Sequence, residues 1–344
     1  MNFDLDSLIR PNIKVLKPYS SARDEFEGNA SVYLDANESP YPTLYNRYPD
    51  PLQKKLKQRI SELKNIPYEN IFIGNGSDEV IDLLFRAFCE PAVDQVIIPQ
   101  PTYGMYAVSA NINNVKIREV ALTSAFDIEL DDVQEAINSK TKLIFLCSPN
   151  NPSGNLLSFD KIIGLLNTFK GIVVIDEAYI DFSSSPSFMS QLSIYKNLVV
   201  LQTLSKAWGL AGLRLGMCFA SIEIISLLNK IKPPYNIGSQ AQSIALQQLN
   251  NIDQKQKHVE EILSQRNYVA NELTKLSIVE KVFPSDANFV LVKVKQAKKI
   301  YQSLIEKGIV VRDRSNVLLC DECLRITIGT NEENKVLLLE LNVL

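Results

Sequence analysis

Three runs of residues, Lys142-Leu-Ile-Phe-Leu-Cys147, Gly171-Ile-Val-Val-Ile175 and Asn197-Leu-Val-Val-Leu201, are apolar without alternation, and each gives way to polar residues. Apolar side chains at successive positions read as strands covered on both faces, which directs the chain toward a layered α/β fold. Weaker strand patterns lie at 71–73, 96–98 and near 115–120. Between them, residues 52–60 repeat apolar positions every four, and residues 77–88 open on Ser-Asp, as helices do. This alternation predicts a predominantly parallel, doubly wound sheet flanked by helices.

The last 75 residues or so read differently. A helix around 257–276 leads to a strand at 288–294, a helix at 296–307 and short strands at 309–312 and 324–328. That mixture predicts a separate small α+β domain. Residues 1–30, with Pro11 and Pro18 and little periodicity, read as an arm that also supplies part of the small domain. The expected division is 1–30 for the arm, 31–255 for the large domain and 256–344 for the small one.

With 36 Lys+Arg against 39 Asp+Glu, the formal net charge of −3 gives no electrostatic case for nucleic acid or an anionic membrane surface. The longest apolar runs are far too short to span a bilayer. The opening Met-Asn-Phe-Asp-Leu-Asp lacks the basic and apolar regions of a secretory leader. Five cysteines, an odd number mostly in apolar contexts, point to reduced buried thiols and a cytoplasmic setting. Cys320-Asp-Glu-Cys323 has C-x-x-C spacing, but a zinc site needs two more ligands. The single histidine, His258, lies in a charged helical stretch, so no metal site is expected.

The chemistry sits where strand patterns end. Asp176-Glu-Ala-Tyr179 follows the second run, Ser148-Pro-Asn-Asn151-Pro-Ser-Gly154 the first, and Gln-Thr-Leu-Ser205-Lys206 the third. Open α/β sheets bind ligands at the carboxyl ends of their strands. A lysine able to form an imine, an acid for a pyridinium nitrogen and polar groups for a ring oxygen are the parts of a pyridoxal phosphate site. Lys206 reads as a lysine at a helix start, where the dipole would favour its neutral amine. Asp176, closing an apolar strand, must be paired or neutralised. Gly74-Asn-Gly76-Ser77-Asp78 after a strand suits an anion at a helix N-terminus, although an ordinary capped turn has the same letters. Ser205 and Arg214 also suit a phosphate, and Tyr103 can stack on a flat ring.

Longer stretches carry a family resemblance: Lys17-Pro-Tyr19-Ser-Ser-Ala-Arg23, Leu34-Asp-Ala-Asn37-Glu-Ser-Pro40, Arg47-Tyr48-Pro-Asp-Pro, Pro101-Thr-Tyr103-Gly-Met-Tyr, Ser148-Pro-Asn-Asn151-Pro-Ser-Gly, Asp176-Glu-Ala-Tyr179, Leu-Ser-Lys206-Ala-Trp-Gly-Leu-Ala-Gly-Leu-Arg214 and Leu324-Arg325-Ile-Thr-Ile-Gly. The chain resembles the fold-type I pyridoxal phosphate enzymes of the class II aminotransferase group, and among them the histidinol-phosphate aminotransferases. The resemblance implies a large domain with a mostly parallel seven-stranded sheet and a small C-terminal α+β domain.

By that resemblance Lys206 binds pyridoxal 5'-phosphate as a covalent imine, Asp176 pairs the ring nitrogen, and Asn151 and Tyr179 contact the ring oxygen. Tyr103 stacks on the ring, and Ser77, Asp78, Ser205 and Arg214 surround the phosphate. Tyr48 reaches the phosphate of the neighbouring subunit in a homodimer with shared active sites. Tyr19, Asn37, Arg312 and Arg325 meet the substrates: glutamate, 2-oxoglutarate and histidinol phosphate. Trp208 stands where the family usually has phenylalanine, and Ser153 replaces its usual threonine. An aromatic amino acid aminotransferase or a threonine-phosphate decarboxylase-like enzyme is the alternative on the same scaffold. A cofactor-sensing regulator is disfavoured, because no basic helix-turn-helix stretch precedes residue 30.

Overall fold

The computed structural model describes residues 3–19 and 31–343. Part of the Lys17–Arg23 stretch and of the expected arm therefore falls outside the described residues. Seven strands, β1 (Ile71–Asn75), β2 (Gln95–Gln100), β3 (Lys116–Ala121), β4 (Thr141–Cys147), β5 (Ile172–Asp176), β6 (Leu198–Thr203) and β7 (Leu215–Phe219), form one sheet in the order β1-β7-β6-β5-β4-β2-β3. The pairs among β2 to β6 are parallel, and β7 runs antiparallel to both β6 and β1. The mostly parallel, seven-stranded expectation holds.

Strand alternation divides the sheet's side chains between two cores. Ile73, Ile144, Val173, Ile175, Val200 and Met217 belong to one. Phe72, Leu143, Phe145, Val174, Val199 and Cys218 belong to the other. Both faces are buried, which is why the central strands read as unbroken apolar runs. Helix α1 (Pro11–Val15) belongs to the N-terminal segment, and α2 (Lys54–Lys64) follows it. Helices α3 (Gly76–Phe88) and α4 (Met105–Ile112) supply Val80, Phe85, Tyr106 and Ala110 to the second core, beside Ile224 and Leu228. Phe3, Leu5, Ile9 and Ile13 pack against the same core, and Arg10 N donates to Ala87 O at 3.0 Å.

A second sheet, β8 (Val279–Val282), β9 (Phe289–Val294), β10 (Arg312–Asp313) and β11 (Cys323–Thr327), is antiparallel in the order β10-β11-β9-β8. Its Val290, Val292, Val294, Leu324 and Ile326 pack with Val269, Ile300 and Leu337 of the C-terminal helices. The alternate residues Phe289, Leu291 and Cys323 join clusters shared with the large domain. By the period of two, Arg325 lies on that same inward face. The strand expected at 309–312 is displaced: pairing begins at Arg312 and lasts two residues. Residues 309–311 do not pair, although Ile309 and Val311 still pack on the small core.

Candidate active site

The connection from β2 moves outward to β3, whereas that from β4 moves the other way to β5. Open sheets hold ligands at such a divergence, outside the strand ends. A cleft lies there. Cys147 and Asp176, the last residues of β4 and β5, face it, and they are register partners. Nine of the expected residues line it: Ser77, Asp78, Tyr103, Asn151, Asp176, Tyr179, Ser205, Lys206 and Arg214.

Alternation along β5 sends Asp176 to the α3/α4 face, with Ile172 and Val174. Its carboxylate is buried, and burial pushes its pKa up to about 6. Oδ2 accepts from Tyr106 Oη at 2.7 Å and Oδ1 from the Ala178 backbone N–H at 3.0 Å. The residue expected to need a partner thus has two, yet it still borders the cleft. The neighbouring Glu177 points to the opposite face, where Phe188 N (2.6 Å) and Gln202 Nε2 (2.9 Å) donate to it and Ser187 also bonds it.

Lys206 is not at a helix start, and that expectation is corrected. After β6 the chain bends through Ser205 and Lys206 into a turn, then a single 3-10 turn at Ala211–Leu213. Its amine pKa is lowered by burial first and next by the Arg325 guanidinium, so desolvation and like charge replace the dipole. Nζ lies 5.5 Å from the centre of the Tyr179 ring. Because β7 returns antiparallel, both Lys206 and Arg214, which ends this loop, stand at the cleft. The loop is pinned where Ser205 N donates to Thr203 Oγ1 at 3.1 Å.

The first turn of α3 forms another edge of the cleft. Gly76 has φ +75°, and its N–H donates to Arg214 O at 2.7 Å. A Cβ on Gly216 would lie 2.2 Å from Ser77 N, so β7 and this turn approach too closely for any side chain. Arg214 Nη2 stands 3.4 Å from Asp78 Oδ2, and Tyr103 Oη donates to Asp78 Oδ1 at 3.1 Å. The start of α3, two serine hydroxyls and a half-exposed guanidinium suit a phosphate.

The small domain closes one side. Arg325 Nη1 donates to Asn151 Oδ1 at 2.5 Å, its guanidinium lies 5.3 Å from the Phe289 ring centre, and its buried Nε has no partner. Arg312 pairs with Arg325 across β10 and β11 and is exposed. The remaining expected residues lie outside the cleft of their own chain. Tyr19 is exposed, as is Asn37, which has φ +54°. Half-exposed Tyr48 stacks on Tyr235 at 4.4 Å. Sequence reasoning did not single out Cys147, Ala178, Thr203 or the Tyr106 behind Asp176. The i, i+3 spacing of Tyr103 and Tyr106 was the available signal.

A buried carboxylate facing an open cleft, a nearby lysine with a lowered pKa and an anion cradle fit pyridoxal phosphate. The class I and II aminotransferase model matches residues 37–341. The chain belongs to the class I and II aminotransferases. Within this aminotransferase family, it is 58% identical over 335 residues to the histidinol-phosphate aminotransferase of Parabacteroides distasonis, covering 97% of each chain. It superposes on the histidinol-phosphate aminotransferase of Clostridium acetobutylicum with a TM-score of 0.80 and 27% identity, covering 86% of this chain and 90% of that one. The enzyme of that name from Sinorhizobium meliloti, solved with pyridoxal-5'-phosphate, shares the fold at a TM-score of 0.79 and 22% identity, covering 86% and 82%. All five cysteines of this aminotransferase are free and buried. Among the described residues, no cluster could hold a metal and no helix is long and apolar enough to cross a membrane.

Proposed function

We propose that this aminotransferase transfers an amino group between L-glutamate and imidazole-acetol phosphate, reversibly giving L-histidinol phosphate and 2-oxoglutarate in L-histidine biosynthesis. It works as a cytoplasmic homodimer with pyridoxal 5'-phosphate joined to Lys206. The observation that carries the reading is the convergence of Lys206, Asp176 and the Arg214 cradle in one cleft, with Arg325 at its side.

When bound, the cofactor supplies an electron sink for the substrate's α-carbon. Asp176 holds a positive charge at the ring nitrogen, and Asn151 and Tyr179 hold the ring oxygen. Tyr103 covers the ring face. Ser77, Asp78, Ser205 and Arg214 fix the phosphate, and Tyr48 reaches that of the partner subunit. Lys206 Nζ would serve as the general base, a role its lowered pKa suits. Arg325 offers its unpaired Nε and fork to an anion, carboxylate in one half-reaction and phosphate in the other. Arg312, Tyr19 and Asn37 complete the substrate side.

The test is the visible spectrum of the purified holoenzyme before and after adding L-histidinol phosphate. Conversion to the amine form of the cofactor supports the reading; no conversion, with conversion instead by an aromatic amino acid, overturns it. Release of carbon dioxide from threonine phosphate would identify the decarboxylase alternative.

A further inference from the structure

We propose that Tyr106 is a positioning residue for this reaction, its phenol holding the Asp176 carboxylate ionised and aimed at the cofactor's ring nitrogen. The inference rests on the proposed function and extends it to a side chain that does not line the cleft.

The geometry aims the phenol at Asp176, with Cys147 beside it. Tyr106 is fully buried on α4, and its hydroxyl lies 2.7 Å from Asp176 Oδ2. Its ring is stacked on Phe145 at 5.0 Å, which in turn stacks on Phe85 at 5.2 Å, and it meets Tyr103 edge-on at 5.5 Å. This aromatic column fixes the phenol against rotation away from the carboxylate. The same ring backs Tyr103, the residue proposed to cover the cofactor.

The groups facing Asp176 are Tyr106 and Tyr103, Asp78 of α3, Cys147 of β4, and Tyr179 and Lys206 at the cleft. Of these side chains, Tyr106 makes the hydrogen bond to the carboxylate; the Ala178 N–H is the other donor. Burial and Asp78 favour the protonated acid, whereas the two donors and Lys206 favour the carboxylate. Burial and Asp176 itself push the Tyr106 phenol far up, so the shared proton stays on the phenol. A protonated Asp176 would leave the ring nitrogen without its anion, and the phenol weights the balance against that state.

The test is Tyr106→Phe, which keeps the aromatic column and removes one oxygen. Loss of a charge-assisted hydrogen bond predicts cofactor binding roughly tenfold weaker and kcat lower by about as much, with KM for both substrates within about twofold. A less protonated ring nitrogen withdraws less charge from the nitrogen joined to Lys206. The pH midpoint of the bound cofactor's visible absorbance should therefore rise. A purely structural role would lower thermal stability without moving that midpoint. In an Asp176→Asn background the same substitution should change cofactor affinity little, because the charge it serves is gone. Should the phenylalanine variant not fold, 3-fluorotyrosine at position 106, a stronger donor, should move the midpoint downward. An unmoved midpoint and unchanged cofactor affinity in the folded variant, or no shift with 3-fluorotyrosine, overturns the proposal. If Asp176→Asn alone leaves affinity and midpoint unchanged, the underlying reading of the site fails instead.

Discussion

Replacing Arg325 by lysine separates charge from geometry at the substrate side of the cleft. In the structure Arg325 spends one Nη on Asn151 Oδ1 at 2.5 Å and keeps a buried Nε without a partner. If the substrate anion binds here as proposed, the guanidinium meets it with a planar fork of N–H groups that a lysine ammonium on this strand cannot offer. Losing one charge-assisted bond costs about 1.5–3 kcal/mol, or roughly ten- to hundredfold in kcat/KM for each half-reaction. The contact with Phe289, 5.3 Å from the guanidinium, adds about 0.5–1 kcal/mol and affects stability rather than selectivity. Single-turnover kinetics with glutamate and, separately, with histidinol phosphate measure each loss, while the resting cofactor spectrum should be unaltered. Unchanged constants in both directions would refute the assignment and move the anion to another group, such as Arg312.

Lys206→Ala should abolish turnover yet retain cofactor through the phosphate and ring contacts, read by absorbance after gel filtration; near-normal turnover would refute it. Asp176→Asn should slow the proton shift by orders of magnitude without unfolding the chain, which a single-turnover rate decides. Co-refolding Tyr48→Phe with Lys206→Ala should restore one undamaged site in a mixed dimer, and a verified heterodimer with no regained activity would count against sharing. Glu177 has its pKa pushed by burial to about 7, above its ordinary 4.5. Its contribution to stability is therefore fully present below about pH 4.5 and is lost as the pH rises toward 7, by at most about 3 kcal/mol. Glu177→Gln should flatten denaturant stability across that window, and an unchanged pH slope would refute the assignment.

The central strands were legible because burial on both faces leaves unbroken apolar runs, as at 172–175 and 198–201. Strand β7 was not, because Leu215-Gly-Met-Cys-Phe219 follows a glycine-rich turn and carries a glycine of its own. That glycine is needed because the backbone of Ser77 comes too close for a Cβ. The helix expected at Lys206 was a misreading of the same stretch. Its Ser-Lys-Ala letters fit a helix start, but the antiparallel return to β7 draws the segment into an irregular loop.

By itself the sequence determined the alternating strands and helices, the polar residues at strand ends and the family, since these depend on local pattern and spacing. Tertiary structure decided which side chains meet. Alternation along β5 turns Asp176 toward Tyr106 and Glu177 toward Gln202, at neighbouring positions with the same chemical group. Alternation along β11 brings Arg325 to Asn151, 174 residues away in the chain. Such pairings depend on how separate elements pack, and so does burial, which raises the Asp176 pKa and lowers that of Lys206. No local run of residues encodes either.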